Sequence, residues 1–111
     1  MKYLLDTSHP DDLVVFSIVK AELLYGARKS QRREKNENRL EVFFFNIPSL
    51  PFDNESAEQY AMLRNMLEKA GIVIGANDLL IAAVAQQHGL TIVTRNQREF
   101  GMIPTLKTEI W

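Results

Sequence analysis

The stretch GIVIGANDLLIAAVAQQHGLTIVTRNQREF, residues 71–100, decides the fold. Its residues 79–85 are all apolar, and a helix that is apolar on most of its faces is buried. Asn77 is predicted to cap the start of this helix, and Gly89 is predicted to end it. A β-rich run, residues 90–94, follows at once. A buried helix, a glycine and a buried strand with a polar tip are typical of an α/β unit with a parallel sheet.

Asp78 stands at the start of this predicted helix and is the first candidate functional residue. In open α/β sheets, ligands bind at the edge formed by the carboxyl ends of the strands, and a helix that follows a strand begins there. The plainer alternative is that Asp78 only complements the helix dipole, which stabilises a helix by about 0.3–1 kcal/mol. The other acids of the chain are needed to decide between the two.

Composition indicates an ordinary soluble domain and excludes several classes of protein. The chain has 111 residues, so we expect one domain, 1–111. Cysteine is absent, which excludes disulfides and thiolate metal sites and fits a reducing compartment such as the cytoplasm. No apolar run approaches the roughly 18 residues of a membrane span, so no membrane partner is expected. The net charge of −1 gives no overall basic field that would indicate nucleic acid.

Three more polar residues follow or flank predicted strands. The strand at residues 2–5 ends on Asp6, which is a metal-ligand candidate or an acid of an Asx turn. Glu22 lies in a predicted helix, 18–29, that follows a second strand at 13–16, and its plain alternative is a solvated ion pair. Asn96 follows the strand at 90–94. In a parallel sheet, Asp6, Glu22, Asp78 and Asn96 all belong to the carboxyl side.

Such a group of acids indicates a divalent cation. Carboxylates brought together without a cation repel each other, and one of them would have to stay protonated. Mg²⁺ prefers oxygen ligands, commonly one or two carboxylates together with waters and phosphate oxygens. A water bound to such an ion is a competent nucleophile towards phosphorus. The acids therefore predict metal-assisted chemistry on a phosphodiester.

The connection between the first two strands is unusually short. Only residues 6–12 separate them, and they include Pro10, which disfavours a helix. A parallel crossover usually takes about a dozen residues or more. Either the first strand pairs unusually, or it joins a neighbouring chain, or a connecting helix is missing from this sequence.

Three further features concern surfaces. The helix at 18–29 has one stripe of residues at helical spacing: Ile18, Ala21, Leu24, Tyr25 and Arg28. A basic cluster either contacts phosphates or is a solvated face, and it comprises Arg28, Lys29, Arg32, Arg33 and Lys35. The phenylalanines at 43–45 cannot all face one core, so some of them either contact a second chain or fill a corner covered by residues 48–52.

The chain resembles PIN-domain ribonucleases of the VapC toxin type. Four stretches carry the resemblance: MKYLLDTS at 1–8, KAELLYGARKS at 20–30, GANDLLIAAVAQQHGL at 75–90 and IVTRNQREFGMIPTL at 92–106. It implies a three-layer α/β fold and an endoribonuclease that depends on Mg²⁺ or Mn²⁺ and acts on RNA. It also implies a small VapB-type antitoxin and a toxin homodimer.

The resemblance also implies the site residues. Asp6, Glu22 and Asp78 match the acidic residues of the family's metal site. Asn96 falls where many PIN domains have a fourth acid, and an amide there can orient a water or a phosphate but is a weaker cation ligand. Glu99 could take the place of that acid only if the loop turns back.

One departure from the family leaves alternatives open. The family has a helix after the strand that ends at Asp6, and this chain lacks it, so we hypothesise an exchanged first strand or an altered dimer. A second interpretation is a catalytically weakened or inactive PIN variant that still binds antitoxin or RNA. A third is a phosphoacceptor domain of the receiver kind, although no lysine clearly follows a late strand as that chemistry requires.

Overall fold

The computed structural model describes residues 3–5, 13–94 and 97–109, so the predictions for Asp6 and Asn96 lie outside the described residues. The elements, in chain order, are β1 (Tyr3–Leu5), β2 (Leu13–Phe16), α1 (Ser17–Lys29), α2 (Arg33–Phe44), β3 (Ser49–Leu50), α3 (Asn54–Lys69), α4 (Ala76–His88), β4 (Thr91–Val93), α5 (Gln97–Phe100) and β5 (Lys107–Glu109).

The strands form one parallel sheet in the order β3-β2-β1-β4-β5. The middle strand is β1, in which Leu5 pairs with Val15 on one side and with Val93 on the other. The first strand therefore pairs within its own chain, although only residues 6–12 connect it to its parallel neighbour. The predicted parallel α/β fold with a shortened N-terminal crossover is confirmed.

Strands β2 and β4 are buried on both faces, as is usual in parallel sheets. Val14, Phe16 and Ile92 belong to the main core, which they share with residues of α3 and α4. Val15 and Val93 alternate with those residues, so they point to the opposite face, and both are fully buried. The sheet is therefore covered on each side at these two strands.

Helix α4 is the buried helix that its apolar run predicts. Leu79 and every residue from 81 to 85 are buried. Gly89 ends the helix in the left-handed conformation with φ 63°, as predicted. The prediction of Asn77 as the cap is wrong: the helix begins at Ala76, because the extended backbone of Gly75 already occupies the cap position. Asp78 accordingly stays in the first turn.

Helix α1 is confirmed in extent but is mostly exposed. Only Ala27 of this helix is buried, whereas Leu24 is 42% and Tyr25 61% exposed. The physical reason is that α1 packs mainly against α2, as a helical hairpin, and touches the sheet only near its start. Phe44 of α2 is buried but Phe45 is 83% exposed, which confirms that the three phenylalanines do not share one core.

Helix α3 is capped by Asp53. The Ser56 backbone N–H donates to Asp53 Oδ1 at 2.9 Å, and the Asp53 N–H donates to Ser56 Oγ at 3.1 Å. The Ser56 hydroxyl also donates to Gln87 Oε1 of α4. This contact joins the first turn of α3 to the last turn of α4, and Ser56 is fully buried there.

Candidate active site

Two carboxylates meet at the N-terminus of α4. Asp78 Oδ2 lies 3.9 Å from the position that a Cβ on Gly75 would occupy, and Glu99 Oε2 lies 3.6 Å from the same point. Both side chains are half-buried. Glu99 comes from α5, the short helix that follows β4, so the chain does turn back after the strand. This is the arrangement that would let Glu99 take the place of the family's fourth acid.

Glu22 of α1 faces the same edge. It lines a cavity of about 330 Å³ together with Asp78 and its neighbour Asn77. The remaining wall is apolar and consists of Ile18, Val19, Leu23 and Ile81. Glu22 is exposed to solvent but borders the cavity that holds Asp78, so the structure brings these two predicted residues together.

The strand that leads to Asp6 ends beside this edge. Leu5, the last residue of β1, pairs with Val93, and α5 with Glu99 follows β4 shortly afterwards. The carboxyl ends of β1 and β4 are therefore neighbours. The predicted roles of Asp6 and Asn96 stay predictions, because both residues lie outside the described part of the chain.

The donor set suits a hard cation, although the described residues alone do not complete a site. Within residues 3–5, 13–94 and 97–109, no group of three His, Cys, Asp or Glu side chains is close enough to hold a metal ion. Asp78 and Glu99 supply carboxylate oxygens around the bare Cα of Gly75, with Glu22 across the cavity. Oxygen ligands of this kind are those that Mg²⁺ and Mn²⁺ prefer.

The sequence pattern favours Asn96 over Glu99 as the fourth candidate residue, because Asn96 lies closer to the end of the strand. Residues 97–100 form one helical turn, and this turn carries Glu99 to Gly75. The sequence signal for Glu99 is an acid three residues after Asn96, and its position depends on the conformation of that helical turn.

Among the helices of the described residues, none combines the length and apolar character needed to cross a membrane.

The PIN domain family model matches residues 2–104. Ribonuclease VapC2 of Rickettsia felis is 37% identical over 132 residues, which cover 100% of this chain and 98% of that protein. The tRNA(fMet)-specific endonuclease VapC of Shigella flexneri is 38% identical over 99 residues, or 89% of this chain and 75% of that protein.

Solved structures give the same result. VapBC from Salmonella typhimurium, bound to DNA, contains a chain with a TM-score of 0.89 and 32% identity, covering 100% of this chain and 98% of that one. VapBC2 from R. felis, bound to a promoter DNA fragment, gives a TM-score of 0.87 and 36% identity, with coverage of 100% and 99%. The R. felis sequence alignment spans 132 positions against 111 residues here, so that relative has residues without a counterpart in this chain. The chain belongs to the PIN-domain family and, within it, to the VapC type.

Proposed function

We propose that this chain is an endoribonuclease toxin that cuts RNA phosphodiester bonds and depends on Mg²⁺ or Mn²⁺. The observation that carries the proposal is the convergence of Asp78 and Glu99 over Gly75, with Glu22 on the wall of the same cavity. The proposal is supported by the relatives, which are named ribonuclease and tRNA(fMet)-specific endonuclease.

In this proposal, Asp6, Asp78 and Glu99 would hold the cation directly, and Glu22, on the cavity wall, would contact it through a coordinated water. When bound, such an ion neutralises charge on the phosphodiester and lowers the pKa of a coordinated water. The apolar side chains of Ile18 and Ile81 limit water on one side of the cavity, which strengthens the electrostatic interactions of the carboxylates. Asn96 is proposed to orient a water or a phosphate oxygen through its amide.

The test is RNA cleavage by the pure chain with Mg²⁺ or Mn²⁺, beside a chelated sample. Initiator tRNA and a mixed RNA pool are suitable substrates, since a relative carries an initiator-tRNA name. We expect Asp6→Asn and Asp78→Asn to lower cleavage by at least about 100-fold, the upper end of what loss of outer-shell support costs a metal site. Glu58→Gln, an exposed acid on α3, is the control. Cleavage unchanged by both site variants would refute the assignment.

A second candidate is a PIN-domain variant that no longer cleaves but still binds antitoxin or RNA. The short connection between the parallel strands β1 and β2 favours it, because residues 6–12 carry Asp6. Isothermal titration with Mn²⁺ separates the two candidates. The nuclease binds the ion and loses affinity in Asp78→Asn, whereas the inactive variant with a collapsed site takes up no ion.

We also propose a small VapB-type antitoxin as a partner. Support comes from the similar solved structures, which are of VapBC from other bacteria. Support within the chain comes from the groove between α1 and α2, where Leu24 and the 83%-exposed Phe45 lie beside Phe44. Exposed apolar side chains in a groove suit an amphipathic helix of a partner. Titration with a cognate antitoxin tests it, and Leu24→Asp is expected to weaken binding.

The oligomeric state stays a proposal as well. We propose a homodimer, in which β1 can be exchanged between copies because its position between β2 and β4 is the same in either arrangement. Size-exclusion chromatography with light scattering tests this, and a compact monomer at micromolar concentration contradicts it. A single domain over 1–111 and a cytoplasmic location likewise stay predictions.

A further inference from the structure

One face of α1 connects the candidate site to the tip of the helical hairpin. Glu22, Tyr25 and Lys29 are spaced i, i+3 and i+7, so they share a face of the helix. At a rise of 1.5 Å per residue, Lys29 lies about 10 Å along the helix axis from Glu22. Leu24 belongs to the opposite side of α1, since it lines the groove against α2.

Tyr25 is an exposed aromatic ring next to a cation. Its exposed fraction is 61%, and the Lys29 Nζ lies 5.3 Å from the centre of its ring. Neither the core nor the groove between the two helices uses this ring. Proteins commonly bind single-stranded nucleic acid through an exposed aromatic ring next to a cation. A base stacks on the ring, and the cation attracts a phosphate.

Two cations, one at the end of α1 and one in the turn after it, have no acidic partner among the described residues. Arg28 and Arg33 pair with Glu37, at 3.5 Å and 2.6 Å. Across the described residues, Lys29 and Arg32 form no ion pair, and both are exposed. Lys29 and Arg32 therefore add local positive charge to a chain whose net charge is −1. They favour an anionic partner on this face.

We propose that the face of α1 formed by Tyr25 and Lys29, continued by Arg32 at the turn, holds RNA next to the cut site. The ring of Tyr25 stacks on a base, and Lys29 and Arg32 contact phosphates. This inference rests on the proposed ribonuclease function and deepens it by naming positioning residues for the substrate. An acidic protein segment is the competing occupant, and the exposed apolar side chains that suit a protein partner lie in the groove on the other side of α1.

The test measures binding of a labelled single-stranded oligoribonucleotide by fluorescence anisotropy over a series of salt concentrations. All variants carry Asp78→Asn, which prevents cleavage during the measurement. We expect Tyr25→Ala to weaken binding about tenfold, because stacking is lost, and Tyr25→Phe to retain it. Lys29→Gln and Arg32→Gln are each expected to lower the slope of log affinity against log salt by about 0.7, the value for one phosphate contact on a single strand.

Arg39→Gln is the matched control. Arg39 is an unpaired, exposed cation of the same hairpin, but it lies with Val42 on the side of α2 that faces away from α1. Its removal changes the net charge equally, and we expect it to leave the salt slope at the parent value.

The inference is overturned if Lys29→Gln and Arg32→Gln match Arg39→Gln, and Tyr25→Ala matches Tyr25→Phe. It is also overturned if these variants lose affinity for an antitoxin while their RNA binding is unchanged. Failure of the proposed function is a different result, in which the unsubstituted chain neither cuts nor binds RNA.

Discussion

Asp78 and Glu99 approach each other across a glycine: Asp78 Oδ2 and Glu99 Oε2 lie 3.9 Å and 3.6 Å from the point where a Cβ of residue 75 would be. Gly75 has φ −57° and ψ 148°, a conformation open to any residue. Its lack of a side chain therefore matters for space and not for backbone conformation. The space lies between two carboxylates at the edge where the site is predicted.

Gly75→Ala is expected to fold normally and to cut RNA poorly. A methyl group there would make ordinary van der Waals contact with both carboxylates, and it would fill the space that a cation and its waters need. The measurements are the melting temperature and the cleavage rate. Gly26→Ala is the control, since a Cβ there meets no described atom within 4 Å, and a helix-interior alanine adds roughly 0.5–1 kcal/mol of stability. Equal cleavage by the two variants would argue against the site.

Glu99 is expected to be more important for cleavage than Asn96. Glu99→Gln removes a carboxylate beside Asp78, whereas Asn96→Ala removes only a neutral amide, which is a weaker cation ligand. We expect Glu99→Gln to raise the Mn²⁺ concentration needed for half-maximal cleavage well above that of Asn96→Ala. The reverse order would assign the fourth position to Asn96.

Local signals predicted much of this fold. The apolar run of α4 and the left-handed Gly89 each depend on a few neighbouring residues, and both are confirmed. The extent of helix α1 was predicted, but its sequence pattern did not indicate which element would cover it. The helix packs mainly against α2, so Tyr25 stays exposed.

The candidate site was only partly predictable. Asp78 and Glu22 follow from the rule that parallel strands present their carboxyl ends at one edge, and they do share a cavity. Glu99 depends on a single turn of helix after β4, and spacing alone does not determine how such a turn is directed. The same limit applies to β3, which has two residues and no pattern of its own.

Ser56→Ala is expected to lower the free energy of unfolding by about 1–3 kcal/mol. The serine is fully buried, and its hydroxyl bonds to both the Asp53 cap and Gln87 of α4, so its removal loses the hydrogen bonds that join these two helices. Urea denaturation measures the change. Thr105→Val removes an exposed hydrogen bond to Gln86 and should cost much less. Similar losses in both variants would contradict a special role for Ser56.

Stability is expected to fall in acid partly through Asp53. The Ser56 backbone N–H holds the pKa of the Asp53 carboxyl below its usual value of 3.8. A lowered pKa in the folded state means that this carboxylate contributes stability above the unfolded-state pKa, and that the contribution is lost as pH falls through the folded-state pKa. The difference in melting temperature between the unsubstituted chain and Asp53→Asn should therefore shrink below pH 3.8. A constant difference would contradict this.

The central position of β1 has a consequence for the order in which the sheet forms while the chain is being synthesised. Tyr3 pairs with Leu13 on one side but with Thr91 on the other, so half of its hydrogen-bond ladder must wait for β4 to be synthesised. The edge with Asp78 and Glu99 is then completed only after α4, β4 and α5 have emerged. Under the proposed nuclease function, cleavage therefore requires a chain synthesised at least through α5.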